Sequence, residues 1–290
     1  MKRVLTACMA AALLFSACDR AINDYDAAIA GAEANLGLGE AEKALDSYRR
    51  IARALEEDPR WAGLMLRIAE IEANMMRDGK AADEALSEVI ERAPLTDAGR
   101  LAREARARDR EARRDYQGAI EDYTALIKHF SEGERAMRYR IALSGVYLAS
   151  KDFRQSRVEI KPLIEGDGVP PEMKEKAIFL AAESFFLEGQ VRKAAGYYEW
   201  MIREFPKSEL AGEAKLHLAT CIEEMGYLGI AREVTKDALD EYPNKGVVEA
   251  RLKSIDERGT KPAKQMNKEL SKDGKPDEGS KKVYKAEPLN

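Results

Sequence analysis

The sequence predicts an all-α chain, a solenoid of about six helix hairpins followed by a C-terminal capping helix. Three observations predict it. Small residues recur at Ala44, Ala82, Ala119, Ser156, Ala194 and Ala231, at intervals of 38, 37, 37, 38 and 37. A fixed period of this length is the signature of a stacked repeat. Ala, Leu, Glu, Arg and Lys dominate and β-branched runs are absent, a composition that favours helix throughout. Turn and stop residues fall at the same phase of the period in unit after unit.

Each unit can be built outward from its small residue. Four positions later stand Tyr48, Leu86, Tyr123, Ile160, Tyr198 and Thr235, and three further on Ile51, Val89, Leu126, Leu163, Met201 and Ala238. Spacings of four and three put these side chains on one face of the second helix. Twelve positions earlier lie Ala32, Glu70, Ala107, Ser144, Ala182 and Ala219. Five of the six are small, so the two helices of a hairpin can approach closely. Between them a turn is expected at Gly39-Glu40, Asp78-Gly79-Lys80, Arg114-Asp115-Tyr116, Lys151-Asp152-Phe153, Gly189-Gln190 and Gly226-Tyr227. A glycine after a helix end takes the left-handed conformation without a Cβ penalty. Pro94, Pro206 and Pro243 lie twelve after their small residues, with Ser131 and Gly168 at that place in two other units and Pro59 three residues late. Proline has no N–H and clashes with the preceding turn, so it ends one hairpin before the next begins. Residues 246–258 supply Val247, Val248, Ala250, Leu252 and Ile255 for one more helix, the cap that a solenoid needs over its last apolar face.

This pattern resembles the tetratricopeptide repeat. The resemblance covers residues 22–258 and is sharpest from Ala182 through Gly189, Gln190 and Tyr198 to Phe205-Pro206-Lys207-Ser208, and from Ala219 through Gly226 to Tyr242-Pro243-Asn244. The period is about three longer than the usual 34 of the family, and the first and third units are degenerate. The resemblance implies a right-handed superhelix whose first helices line a concave surface. The aromatic-Pro-x-Ser/Asn ending is typical of repeats in periplasmic lipoproteins. The overall plan is similar to the BamD-like lipoproteins of outer-membrane assembly, to the repeat domain of Tol–Pal coordinating proteins, and to the repeat lipoproteins that pilot pilus secretins.

The two ends divide the chain further. Lys2 and Arg3 precede an apolar stretch from Val4 to Phe15, and Ser16 and Ala17 are small, as a cleaved secretion signal requires. A bilayer-spanning helix takes roughly twenty apolar residues, more than this stretch offers. Phe15-Ser16-Ala17-Cys18 resembles the lipobox, in which the cysteine becomes the lipidated (typically palmitate-bearing) first residue of a mature lipoprotein. The family prefers Leu where Phe15 stands. Leu5-Thr6-Ala7-Cys8 fits the same pattern, but leaves only Val4 and Leu5 as its apolar core. The plainer alternative for Cys18 is a thiol beside an ordinary cleavage site. Several acyl chains hold a protein stably to a membrane where one does not. Asp19 leaves inner against outer membrane open, with the outer favoured. At the other end, residues 259–290 carry eight Lys, five acidic residues and three prolines, with too little apolar surface to offset the entropy of ordering. The expected organisation is a lipoprotein signal peptide at 1–17, the repeat solenoid at 18–258 and a disordered charged tail at 259–290.

Chemistry is scarce. Loss of Lys2 and Arg3 takes the formal charge from −4 to −6, which argues against nucleic-acid binding. With Cys18 acylated, Cys221 has no disulfide partner, and it reads as a small core side chain. His129 and His217 fall in different units with no ligand at metal spacing, and no phosphate loop, dinucleotide fingerprint or nucleophile elbow is present. The chain is therefore read as no enzyme, with no cofactor and no metal. Arg100 to Arg114 holds seven arginines mixed with Glu104, Asp109 and Glu111. It is either a docking helix for an acidic partner or anionic surface, or an exposed helix laced with ion pairs one turn apart. Trp61 and Trp200 read as packing between helices.

Laid on the period, the family's concave face takes Arg67, Ile71, Asn74, Arg108, Arg138, Ile141, Leu148, Lys176, Phe179, Glu183, Phe186 and Glu223. The surface is basic and apolar in the middle and acidic near its C-terminal end, and suits a peptide or helix with acidic and apolar residues. The lysine that a carboxylate-clamping repeat domain needs is replaced by Ile29. The resemblance implies an adaptor or scaffold, lipid-anchored at the periplasmic face of the cell envelope, that binds envelope proteins or peptides. The alternatives are a non-catalytic regulatory subunit of a cell-wall enzyme and a Tol–Pal or pilus-type assembly factor. Oligomeric state has no signal in the sequence.

Overall fold

The computed structural model describes residues 25–131 and 133–259; the expected signal peptide, Cys18 and the tail from residue 260 lie outside them. Among the described residues the chain is helical without strands. It divides into two compact units at His129 and Phe130. The first holds α1 (25–37), α2 (Ala41–Ala54), α3 (Trp61–Ile71, continued by a π-helical turn at Glu72–Met76), α4 (Gly79–Arg92), α5 (Asp97–Ala112) and α6 (Tyr116–His129). The second holds α7 (Gly133–Ala149), α8 (Phe153–Glu165), α9 (Pro171–Leu187), α10 (Val191–Glu204), α11 (Ala211–Glu224), α12 (Leu228–Asp237) and the cap α13 (Lys245–Gly259). Each unit is thus three hairpins of consecutive antiparallel helices. Each has its own apolar core, around Tyr48, Leu64, Ile68, Leu86 and Val89 in the first, and around Ile160, Leu163, Ile178, Phe185, Tyr198 and Met201 in the second.

All six small residues of the second helices are fully buried. They pair with a small residue of the first helix, and in the fourth hairpin the pair is polar: Ser144 and Ser156 share a hydrogen bond of 2.8 Å between their hydroxyls. Two apolar-sized groups at the crossing let the helices close, and the two hydroxyls satisfy one another in a site without water access.

The turn inside each hairpin follows one rule with two solutions. The residue five before each small residue has positive φ in all six hairpins: Gly39, Arg77, Arg114, Lys151, Gly189 and Gly226. Where it is Arg or Lys, the next residue is Asp, and its carboxylate accepts from the backbone N–H three residues on: Asp78 from Ala81 at 3.0 Å, Asp115 from Gly118 at 3.1 Å and Asp152 from Gln155 at 3.1 Å. Where it is Gly, the next residue (Glu40, Gln190 or Tyr227) makes no side-chain cap. A left-handed residue with a Cβ costs about 1–2 kcal/mol, and an N-cap contributes about 1 kcal/mol, so the cap offsets the strain of the non-glycine turns. In the second hairpin the left-handed residue is Arg77, not the expected Gly79, which opens α4.

The second hairpin differs in one further way. The residue that packs against Ala82 is the buried Ala69, not the expected Glu70, which is exposed. One extra residue therefore lies between the small pair, and the π-helical turn absorbs it. In the other hairpins the N–H after the left-handed residue reaches the carbonyl five back, as Asp115 to Arg110 at 2.8 Å; here Asp78 reaches six back, to Glu72, at 2.9 Å. An inserted residue inside a helix is the usual origin of a π turn.

Candidate functional site

The extra residue rotates α3 relative to the simple period, because one residue is about 100° of helix. Ile71, expected on the open face, is 1% exposed and belongs to the core. Counted from the buried small residues (Ala32, Ala69, Ala107, Ser144, Ala182, Ala219), the true equivalents are Glu33, Glu70, Arg108, Gly145, Glu183 and Thr220, one position later.

At this position two hairpins build the same arrangement. In the first unit the Tyr48 hydroxyl donates to Glu33, and Arg67 closes a fork on both Glu33 oxygens at 3.1 and 3.0 Å while reaching Glu70 at 2.6 Å. The Tyr48 hydrogen bond and the guanidinium hold the Glu33 carboxyl below its ordinary range. In the second unit the Tyr198 hydroxyl donates to Glu183, and His217 stands where Arg67 does, two residues before Ala219 as Arg67 is before Ala69. His217 Nδ1 lies 2.5 Å from Glu183 Oε1 and 3.0 Å from the Tyr198 hydroxyl. Burial opposes charging at both members of this pair. Their mutual hydrogen bond and attraction outweigh it, lowering Glu183 and raising His217 from their ordinary values. The imidazole is flanked by Phe179, at 6.1 Å between ring centres and 29°, and by Phe186, at 5.9 Å and 21°. Three of the expected groove residues (Phe179, Glu183 and Phe186) thus meet around one that sequence reasoning left out. The spacing held the signal: tyrosine 15 and the cation 34 residues after glutamate, in both units.

Asn74 and Arg108 meet elsewhere in the first unit. They line an open cleft of about 410 Å³ between α3 and α5, over Ala82 and Leu86 of α4, with Leu66, Ala69, Ala73 and Ala105 as its apolar walls. Arg67 is outside it, committed to Glu33 and Glu70. The Arg100–Arg114 helix carries the expected ion pairs one turn apart, Arg100 with Glu104 at 2.6 Å and Arg113 with Asp109 at 2.8 Å, and adds pairs to its neighbours that its own sequence did not show. Arg106 forks onto Asp122 of α6 at 2.9 and 2.6 Å, and Arg110 forks onto Asp83 of α4 at 2.8 Å from both nitrogens, so these side chains bolt neighbouring helices together. Arg108 is the exposed one of the set that faces the cleft.

The remaining expected residues are dispersed. Arg138 is exposed and pairs with Glu134 one turn earlier at 3.2 Å. Ile141 packs partly buried against the second core, Leu148 is half-buried and Lys176 is exposed. Glu223 is tied to Arg251 and Arg258 of the cap helix. Cys221 is buried, and its thiol is pushed up to about 12, by burial first and then by the nearby Glu224 and Glu183 charges. Trp61 is buried under the Arg92 guanidinium, which lies 3.9 Å from its ring centre. Among the described residues no helix is long and apolar enough to cross a membrane, and no cluster of three metal-ligating side chains occurs.

Residues 176–208 match the tetratricopeptide repeat family model. That segment is the hairpin of α9 and α10 with the turn that follows it. Among solved structures, a tetratricopeptide repeat protein from Parabacteroides merdae ATCC 43184 is similar over 80% of this chain and 98% of its own, with a TM-score of 0.51 and 14% identity. The assembly chaperone of RpL4 (Acl4) aligns over 80% of this chain and 98% of its own, with a TM-score of 0.45 and 14% identity. Naa15/Naa10 bound to HypK aligns over 86% of this chain and 36% of its own, with a TM-score of 0.43 and 16% identity. At these identities the likeness is one of fold. No curated protein matches the sequence. The fold is one of tetratricopeptide-type helix hairpins, and one hairpin carries the repeat's sequence pattern.

Proposed function

We propose that the chain is a non-catalytic adaptor of the bacterial cell envelope, anchored by lipid on Cys18 at the periplasmic face, and that it holds protein partners along the first helices of its hairpins. The outer membrane is the favoured site, and the partners are components of an outer-membrane, Tol–Pal or pilus-secretin assembly.

One observation carries the binding part. The first helices bury one face in the hairpin core and leave Asn74, Arg108, Arg138 and Lys176 exposed on another. In the first unit Asn74 and Arg108 stand at an apolar cleft, and in the second Arg138 and Lys176 lie on the same helices as half-buried Ile141, Leu148, Phe179 and Phe186. Each is a mixed surface, the kind on which an amphipathic partner segment buries its apolar residues and pairs its charges. The anchoring part rests on the N-terminal sequence.

The experiment is chemical crosslinking of the tagged full-length protein in its own cells, with mass spectrometry of the captured proteins. A variant carrying Arg108→Glu and Arg138→Glu runs in parallel. Recovery of an envelope-assembly component that the variant loses supports the adaptor and this surface. Recovery that the variant leaves unchanged moves the binding surface elsewhere, and absence of any envelope protein removes the envelope reading. Separately, Cys18→Ala should abolish lipid labelling, and normal labelling of that variant would sink the anchor.

A further inference from the structure

We infer that the cleft between α3 and α5 is the seat for one apolar side chain of a partner segment, with a neighbouring carboxylate of that segment paired to Arg108. The inference rests on the adaptor reading and names what its surface recognises.

In the second unit the surface between α9 and α11 is filled by its own rings: Phe179 and Phe186 enclose His217. Counted from the buried small residues, the corresponding positions in the first unit are Leu66, Ala73 and Ala105. Three rings are replaced by one leucine and two alanines, and the volume they would occupy is the cleft. At about 410 Å³ it falls at the lower end of the range of roughly 300–1,000 Å³ for ligand pockets, room for one large side chain. The π-helical turn at Glu72–Met76 contributes too, because it carries Asn74 onto the cleft's rim.

The acidic groups around the cleft are all paired with arginine: Glu70 with Arg67 at 2.6 Å, a guanidinium it shares with Glu33, Asp109 with Arg113 at 2.8 Å and Glu104 with Arg100 at 2.6 Å. Arg108 donates from Nε to the Glu104 carbonyl at 3.1 Å and lies 3.7 Å from that residue's carboxylate, which is already engaged, and its side chain is 69% exposed. The rim therefore offers an exposed cation beside an apolar floor. A basic segment would be repelled by Arg108, and a purely polar one would leave the alanine walls wet. An apolar residue next to Asp or Glu satisfies both, and charge pairing at the rim adds selectivity more than affinity.

The test uses the full-length chain purified in detergent and a phage-displayed library of random dodecapeptides as probe. Enriched peptides are synthesised with a fluorophore and titrated by anisotropy. The inference expects enrichment of an aromatic or branched aliphatic residue within two positions of an acidic one. Filling the cleft with Ala105→Phe should weaken binding about tenfold or more, the worth of one buried apolar side chain. Arg108→Ser should weaken it about two- to fivefold, as expected for an exposed ion pair, with the effect shrinking at high salt. Ile230→Ala, at an exposed residue of the second unit outside the binding surface, should change nothing. Thermal melts confirm that each variant is folded. Binding indifferent to Ala105→Phe, loss of binding in Ile230→Ala, or enrichment of basic peptides each overturns the assignment to this cleft. So does a library that yields no peptide. In any of those cases partners recovered by crosslinking in cells still leave the adaptor standing, so the two readings fail separately.

Discussion

The Glu183–His217 pair gives the second unit a pH-dependent joint that the first unit lacks, and the comparison with Glu33–Arg67 makes the effect measurable. His217 has its folded value raised above the ordinary value of 6.5. A raised histidine contributes stability that is fully present below its unfolded pKa and is lost as pH rises through the folded one. Glu183 has its folded value lowered below 4.5, so its share is present above that value and lost only on strong acidification. The pair is therefore intact between about pH 5 and the ordinary histidine value and weakens on the alkaline side. The groups around it pull both ways, since Glu213 also favours the imidazolium and Arg251 opposes it. A hydrogen bond between charged groups contributes about 1.5–3 kcal/mol. With His217 30% and Glu183 19% exposed, solvent screening reduces this to about 1 kcal/mol. The assay is urea unfolding followed by circular dichroism, at fixed ionic strength from pH 5.5 to 8.5, for the natural protein, His217→Gln and His217→Arg. The difference between the natural protein and His217→Gln should fall by about 1 kcal/mol across that range. His217→Arg should remove the slope while keeping the stability, because Arg67 does the same task at the same position of the first unit. Taking differences cancels the contributions of the other titrating groups. Parallel pH profiles for the natural protein and His217→Gln would refute the reasoning.

Other consequences follow from the repeat. Lys151→Gly, at positive φ, should stabilise the protein by about 0.5–1 kcal/mol, the relief of a left-handed Cβ less the extra freedom of glycine in the unfolded chain; denaturant midpoints check it, and Gly189→Ala should move them the other way. Ser144→Ala alone strands the Ser156 hydroxyl and should cost about 1–2 kcal/mol, whereas Ser144→Ala with Ser156→Ala should cost less than either single change, as a double-mutant cycle would read. Gly99→Ala would bring a Cβ to 2.0 Å from the Ala93 carbonyl oxygen, so a lower melting temperature and a loosened α4–α5 junction are expected by calorimetry and hydrogen exchange.

The hairpins were legible because their determinants are local: helix-favouring composition, small residues at crossings and turns at one phase of a fixed period. The places where the sequence misled are those where a single residue shifts the phase. Ala69 and Glu70 are adjacent, and composition alone does not say which of them faces Ala82. The π turn decides it, and with it the burial of Ile71 and the outward aim of Arg67. Gly79 misled in the same way, since glycine is permitted at a left-handed turn without being required there, and Asp78 and Arg77 form the turn instead. The α5 arginines could not be read from their own helix, because Asp83 and Asp122, which engage Arg110 and Arg106, lie on its neighbours. The His217 arrangement was missed for a related reason. A search for ligands at metal spacing looks within a few residues, whereas a repeat brings together groups one whole period apart, so Glu183 and His217 meet across 34 positions.

In a repeat chain the units share a backbone plan, so a surface differs between units chiefly through the side chains at equivalent positions, here together with the π-helical turn after α3. Among the substitutions that separate the two comparable surfaces are Phe179, Phe186 and His217 in one against Leu66, Ala73 and Ala105 in the other. The first set covers part of its own surface with ring contacts and an ion pair, gaining stability. The second set forgoes that burial and exposes apolar walls to water, a state that a folded chain holds at a cost unless something else covers them. We infer a division of work in which the cleft of the first unit is the one open to a partner's apolar side chain. Exchanging the three residues between the units tests the division directly. A chain with Leu66→Phe, Ala73→Phe and Ala105→His should be more stable and lose its peptide, and one whose stability and binding are both unchanged would show that the open cleft has no role.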